Sequence, residues 1–166
     1  MQIFLQFWKI YLDTCCLSRL VDDDTQDRIL REAGAVETIL AYFGTRRWHW
    51  IASEVLVTEV NKNPNAEQRA EVQRHLYGVH QIVSVEATER TRGKVLEVLG
   101  FKPVDALHLA CAESGNADIF LTTDDKLLNA AKRCATALRV RVENPYTWLK
   151  EEVDNEHLRN DGAGDL

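Results

Sequence analysis

The run Lys9-Ile10-Tyr11-Leu12-Asp13 is short, apolar and closed by a carboxylate. It reads as a buried strand that delivers Asp13 at its C-terminal end. Trp48-His-Trp-Ile-Ala52, Gln81-Ile-Val-Ser-Val85 and Asp118-Ile-Phe-Leu-Thr-Thr123 read the same way, with Arg139 to Val142 as a short fifth strand. Between the first two, Ile29, Leu30, Ala33, Val36, Ile39, Leu40 and Phe43 recur at helical spacing up to Gly44. Strands that alternate with helices predict a mostly parallel sheet covered on both faces, whose ligands bind beyond the strands' C-terminal ends. Asp13, Asp124 and Asp125 are expected on that edge.

The remaining helices bring further acids. Ser53 is a plausible N-cap for a helix over Glu54 to Val60, which carries Glu59. Asn65 and Gln68 resemble a capping box that opens a helix through about Tyr77, and a helix through Val95, Leu96, Val98 and Leu99 stops at Gly100. Pro103 suits the first turn of a helix over Val104 to Glu113, which is apolar apart from Asp105 and His108. A helix apolar all round is buried, and a buried carboxylate is seldom left without a partner. His108 reads as a core histidine or a support for the site rather than a ligand. Asp124-Asp125 opens a helix over Lys126 to Arg133, where acids suit the N-terminal dipole, and the run Asp22 to Asp24 reads as a cap for the long first helix.

With 166 residues, 45% of them hydrophobic, the chain can bury one core without staples, and no repeat or linker divides it. Residues 1–8 read as an extension ahead of a domain over 9–149, and 150–166 as a charged, frayed tail. The apolar start, Met1 to Trp8, has no basic segment before it and no small-residue cleavage site after it, and it is too short to span a bilayer. The cysteines are an adjacent pair, Cys15 and Cys16, plus Cys111 and Cys134, which matches neither a metal knuckle nor a disulfide framework. Reduced thiols in the cytoplasm follow. A net charge of −6 argues against holding nucleic acid by bulk positive charge. Such a substrate has to be met locally, with Arg19, Arg46, Arg47, Lys62, Arg92 and Lys126 as candidates, although isolated bases are ordinarily solvated surface charges.

Carboxylates gathered at one crevice repel one another and resist joint ionisation, and a hard divalent cation relieves this by taking oxygen ligands. A cation there also turns an acidic edge into one that accepts phosphodiester oxygens and supplies an activated water. Most single acids at strand ends are structural; Asp105, on a buried helix, is the exception. The chain has no Walker or GxGxxG loop, and Asp13-Thr-Cys lacks the paired acids of an aspartyl phosphatase.

Four segments carry a family resemblance. Ile10-Tyr-Leu-Asp13-Thr14 resembles the opening signature of PIN domains, and Ser53-Glu-Val-Leu-Val-Thr-Glu59 resembles their second-acid helix. Asp105-Ala-Leu-His-Leu-Ala-Cys-Ala112 and Leu121-Thr-Thr-Asp124-Asp-Lys-Leu127 resemble the third and fourth. Their order and spacing cover about Lys9 to Leu149. The resemblance implies a three-layer α/β/α sandwich around a mostly parallel sheet of about five strands. It also implies a Mg²⁺- or Mn²⁺-dependent nuclease, most often an endoribonuclease that cuts single-stranded RNA. Carried over by position, Asp13, Glu59, Asp105 and Asp124 are the catalytic and metal-binding acids, supported by Thr14; Asp124 is favoured over Asp125, with the register open by one residue. The size resembles that of VapC-type toxins, which implies a cognate antitoxin and a homodimer beside the RNA substrate, and no membrane partner. The competing reading is a PIN fold that binds RNA or protein and cuts poorly. One departure stands out: PIN toxins often have Asn shortly after the first acid, where this chain has Cys15-Cys16.

Overall fold

The computed structural model describes residues 6–162. Its strands are β1 (Lys9–Leu12), β2 (His49–Ser53), β3 (Gln81–Val83), β4 (Ile119–Leu121) and β5 (Arg141–Glu143). They form one sheet in the order β3-β2-β1-β4-β5, every pair parallel. The helices among the described residues are α1 (Thr14–Ser18), α2 (Asp27–Gly44), α3 (Glu54–Asn61), α4 (Ala66–Leu76), α5 (Ala87–Val98), α6 (Pro103–Ser114), α7 (Asp125–Arg133) and α8 (Pro145–Gly162). This is the α/β/α arrangement expected of alternating strands and helices.

Side-chain alternation along β2 assigns the two faces. Trp50 stacks on Phe43 of α2 at 5.1 Å, while Ile51 faces the start of the turn after α6, within 3.0 Å of where a Cβ on Gly115 would stand. Tyr11, the register partner of Ile51, likewise meets His108 of α6, and stacks on Phe120 of β4 at 5.1 Å. Trp48, Trp50 and Trp148 are buried completely or nearly so, which makes aromatic area a large part of the core.

The chain starts at the centre of the sheet, runs out through β2 and β3, then returns to add β4 and β5 on the other side. The strand order therefore reverses between β1 and β4, the place where open α/β sheets form their crevice. Leu12 pairs with Leu121, and the Asp13 amide donates to the Leu121 carbonyl at 2.9 Å. Asp13 and the turn after β4 are thus neighbours by register.

Several local expectations change. The short helix α1, followed by a 3-10 turn at Arg19–Val21, was not expected; Asp13 caps it by accepting from the Thr14 amide. The run Asp22 to Asp24 does not cap α2, whose N-cap Gln26 makes no side-chain cap bond; Asp22 and Asp24 instead close turns by accepting from the amides of Asp24 and Gln26. Asn65 caps α4 through the amides of Glu67 and Gln68, but the Gln68 side chain donates to the Val21 carbonyl, so only half of the capping box forms. Residues from 150, expected to fray, continue α8 to Gly162, with Glu152 and Glu156 buried. Of the expected N-terminal extension, residues 1–5 lie outside the described residues; Trp8 donates to Glu152 at 3.0 Å and packs edge-on against Trp148. No helix among the described residues is long and apolar enough to cross a membrane.

Candidate metal centre

Asp13 is 6% exposed at the end of β1, and three neighbours orient its carboxylate. Oδ1 accepts from the Thr14 amide at 2.8 Å, and Oδ2 accepts from the Thr122 hydroxyl at 2.8 Å and the Cys15 thiol at 3.4 Å. Cys15 Sγ also accepts from the Thr123 amide at 3.3 Å, so the thiol sits between the first acid and the turn after β4. A hydroxyl and a thiol thus orient the first acid.

Glu59 lies on α3, which Ser53 caps by accepting from the Leu56 amide at 3.1 Å. Its Oε1 accepts from the Thr14 hydroxyl at 2.9 Å and meets His108 Nε2. Burial pushes this carboxyl up, but His108, by hydrogen bond and charge, and then Thr14 bring it below its ordinary value. His108 is 1% exposed, and its Nε2 lies 3.8 Å from Asp13 Oδ1. Donor atoms of Asp13, Glu59 and His108 all fall within 4.8 Å of one another.

Behind His108 runs a buried relay. Nδ1 is 2.6 Å from the Tyr11 hydroxyl, which is 2.6 Å from Ser53 Oγ. Burial pushes the Tyr11 hydroxyl well up, so it keeps its proton and can bridge both neighbours.

Asp105 stands one helical turn before His108, on the same side of α6. Burial and then the charges of Asp13 and Asp124 push its carboxyl up to about 6. Asp124 is the N-cap of α7, where Oδ1 accepts from the amides of Lys126 at 2.9 Å and Leu127 at 3.4 Å. Asp125 is exposed and turned to Arg28. Of the adjacent pair, Asp124 is therefore the one that caps α7, and it still acts on Asp105 through its charge.

The expected cations divide by position. Arg19 pairs with Glu32 and Asp22, and Arg92 grips Glu113 and the Ala137 carbonyl, so both serve the fold. Arg46 and Arg47 precede β2, at the opposite edge of the sheet from Asp13. Lys62 acts on Glu59, in a 250 Å³ cleft that Thr14 and Arg69 also line. Lys126 lines two clefts, of 340 Å³ beside Asp105 and 570 Å³ beside Asp124, and Lys102, absent from the sequence reading, lines both with it.

The PIN domain family model matches residues 10–133. The chain belongs to the PIN-domain family. Among solved structures, this PIN domain is similar to FitAcB from Neisseria gonorrhoeae, at 18% identity and a TM-score of 0.54 over 82% of this chain and 98% of that one. It is similar to VapBC2 from Rickettsia felis bound to a promoter DNA fragment, at 16% identity and 0.53 over 82% and 98%. It is also similar to the sarcin-ricin loop cleaving toxin VapC20 from Mycobacterium tuberculosis, at 14% identity and 0.53 over 73% and 94%. At these identities the likeness is one of fold. No curated protein matches the chain.

The donor set of the PIN domain suits a divalent cation. Two carboxylates and an imidazole converge within ligand reach, and Asp105 is held high by burial and then by neighbouring acids whose repulsion a cation relieves. The sequence reading took His108, three residues after Asp105, as a core histidine or a support for the site ahead of a ligand, and the structure brings its Nε2 into this group. The sequence reading missed Thr122 and Tyr11, which reach the site only through tertiary contact.

Proposed function

We propose that this PIN domain is a Mg²⁺- or Mn²⁺-dependent nuclease that cuts single-stranded RNA endonucleolytically, with Asp13, Glu59, Asp105 and Asp124 as its working acids. The observation that carries this reading is the convergence of Asp13, Glu59 and His108 at the reversal point of a parallel sheet, with Asp105 under the charge of Asp13 and Asp124. When bound, the cation supplies the charge that lets this edge accept a phosphodiester, and acidifies a water for attack at phosphorus. The chain's own residues prepare the place. Thr14 and His108 hold Glu59, Thr122 and Cys15 hold Asp13, and capping of α7 fixes Asp124. Lys62, Lys102 and Lys126 flank the acids and offer charge to phosphates on either side of the scissile one.

The test is cleavage of a single-stranded RNA oligonucleotide by the purified chain. Activity is expected only with Mg²⁺ or Mn²⁺, and Asp13→Asn or Asp105→Asn is expected to abolish it with folding intact. Full activity in excess EDTA, or in either variant, would overturn the metal mechanism.

A toxin role belongs to the same proposal, with a cognate antitoxin, a homodimer and a cytoplasmic setting. It is supported by the fold likeness to structures described as FitAcB and VapBC2, and it takes residues 9–149 as one nuclease domain. Expression of the chain alone should slow bacterial growth, and the same acid substitutions should relieve it. Undiminished growth with active, soluble protein would favour RNA processing instead.

A further inference from the structure

The carboxylates of this site have an unusual companion for a centre expected to take Mg²⁺. An imidazole nitrogen points between Asp13 and Glu59, from a ring that is 1% exposed. Mg²⁺ favours oxygen ligands and keeps several waters, whereas imidazole suits borderline transition ions.

Ring placement is the second observation. A histidine that ligates metal almost always hydrogen-bonds through its other nitrogen, which fixes the ring and the face it presents. Here Nδ1 is held at 2.6 Å by the Tyr11 hydroxyl, itself 2.6 Å from Ser53. Tyr11 is buried and stacked on Phe120 with an interplanar angle of 8°, and it meets the imidazole edge-on. The ring is therefore locked with Nε2 toward the two acids. In the metal-free protein Nε2–H can donate to Glu59; a cation in that place would meet the Nε2 lone pair instead, with Nδ1–H donating to Tyr11 and the Tyr11 proton going to Ser53.

We propose that His108 is a direct nitrogen ligand of the cation beside Asp13 and Glu59, making a mixed site that selects Mn²⁺ over Mg²⁺. The inference rests on the metal reading above and goes beyond it, because an acid quartet alone gives no reason for such a preference. Asp105 and Asp124, both more exposed than Asp13 and His108, stand outside that three-residue group. The competing role for His108 is that of a positioning residue whose Nε2–H only steers Glu59.

The experiment loads the full chain with MnCl₂ and looks for nitrogen. Pulsed electron paramagnetic resonance of the Mn²⁺ protein should show modulation from an imidazole ¹⁴N, which changes when histidine is ¹⁵N-labelled. Calorimetric titrations with MnCl₂ and MgCl₂ should show a preference for Mn²⁺ that His108→Gln lowers by about tenfold or more. Glutamine retains an N–H donor for Glu59 but no imidazole, so a merely steering histidine would leave the preference in place. Tyr11→Phe should keep the nitrogen signal and weaken Mn²⁺ binding, by roughly tenfold to a hundredfold for a lost outer partner. Mn²⁺ bound without nitrogen modulation, or an unchanged preference in His108→Gln, would overturn this inference and leave the metal reading standing. No Mn²⁺ binding at all would overturn both. The labelled wild-type spectrum decides the matter even if a variant fails to fold.

Discussion

Arg28, in the first turn of α2, holds Asp125 by two hydrogen bonds, Nη1 to Oδ2 at 2.7 Å and Nη2 to Oδ1 at 2.8 Å. The same guanidinium donates to the Thr123 carbonyl at 3.0 Å. Asp125 is thereby tied to α2, and the hydrogen bond from Arg28 keeps its carboxyl below the usual range. Asp124, one residue earlier, is the acid whose charge bears on Asp105. This division yields the first prediction: Asp124→Asn should cost far more metal affinity and cleavage than Asp125→Asn. Asparagine is as good an N-cap as aspartate, so the Asp124 variant should remain folded. Calorimetry with MnCl₂ on both variants checks it, and a larger loss for Asp125→Asn would show the register to be one residue later.

Asp105 supplies a pH prediction. Its folded value, about 6, lies above its ordinary 3.8, so the folded state binds the proton more tightly than the unfolded one. The sign follows from linkage: the group favours folding below pH 3.8, and that contribution is lost as pH rises through about 6. Without metal, Asp105→Asn should therefore be more stable than wild type at neutral pH. The gain should be about 1 kcal/mol once screening of a half-exposed group is allowed for. It should vanish near pH 4 and reverse when MnCl₂ is added, since the cation needs the charge. Thermal melts of both proteins across that range, in EDTA and in MnCl₂, make the comparison.

Thr14 tests whether Glu59 must be held. Its hydroxyl donates to Oε1 at 2.9 Å, and valine keeps the shape without the donor. Thr14→Val should weaken metal binding by about tenfold, the lower end for an outer partner, and Thr14→Ser should restore most of it. If valine binds metal as well as wild type does, the hydroxyl only packs.

Gly115 separates packing from charge. A Cβ there would stand 3.0 Å from both Ile51 Cγ2 and Val83 Cγ2, and 3.3 Å from the Cys111 carbonyl. Its backbone is ordinary (φ −77°), so the cost is steric. Gly115→Ala should lower stability by about 1–3 kcal/mol, as overpacking does, with metal selectivity unchanged. Chemical denaturation beside metal titration reads both quantities.

What the residues alone determined is local. Apolar runs closed by carboxylates, a long amphipathic helix and the punctuation at Ser53, Asn65, Gly100 and Pro103 were legible because strand and helix periods and caps are written within a few residues. From these followed the parallel sheet and an acidic edge that includes Asp13 and the Asp124-Asp125 pair. The charged end of α8 was misread because its polar composition resembles a solvated tail, while Glu152 is buried against Trp8, 144 residues away. The centre itself is set across the chain. Thr122 reaches Asp13 over 109 residues, His108 reaches Glu59 over 49 and Tyr11 over 97, and Arg28 reaches Asp125 over 97. No local period encodes such pairs. Which nitrogen His108 aims at the acids, and which of two adjacent aspartates turns away, were decided only when parallel register brought β1 beside β4 and packed α6 against Tyr11.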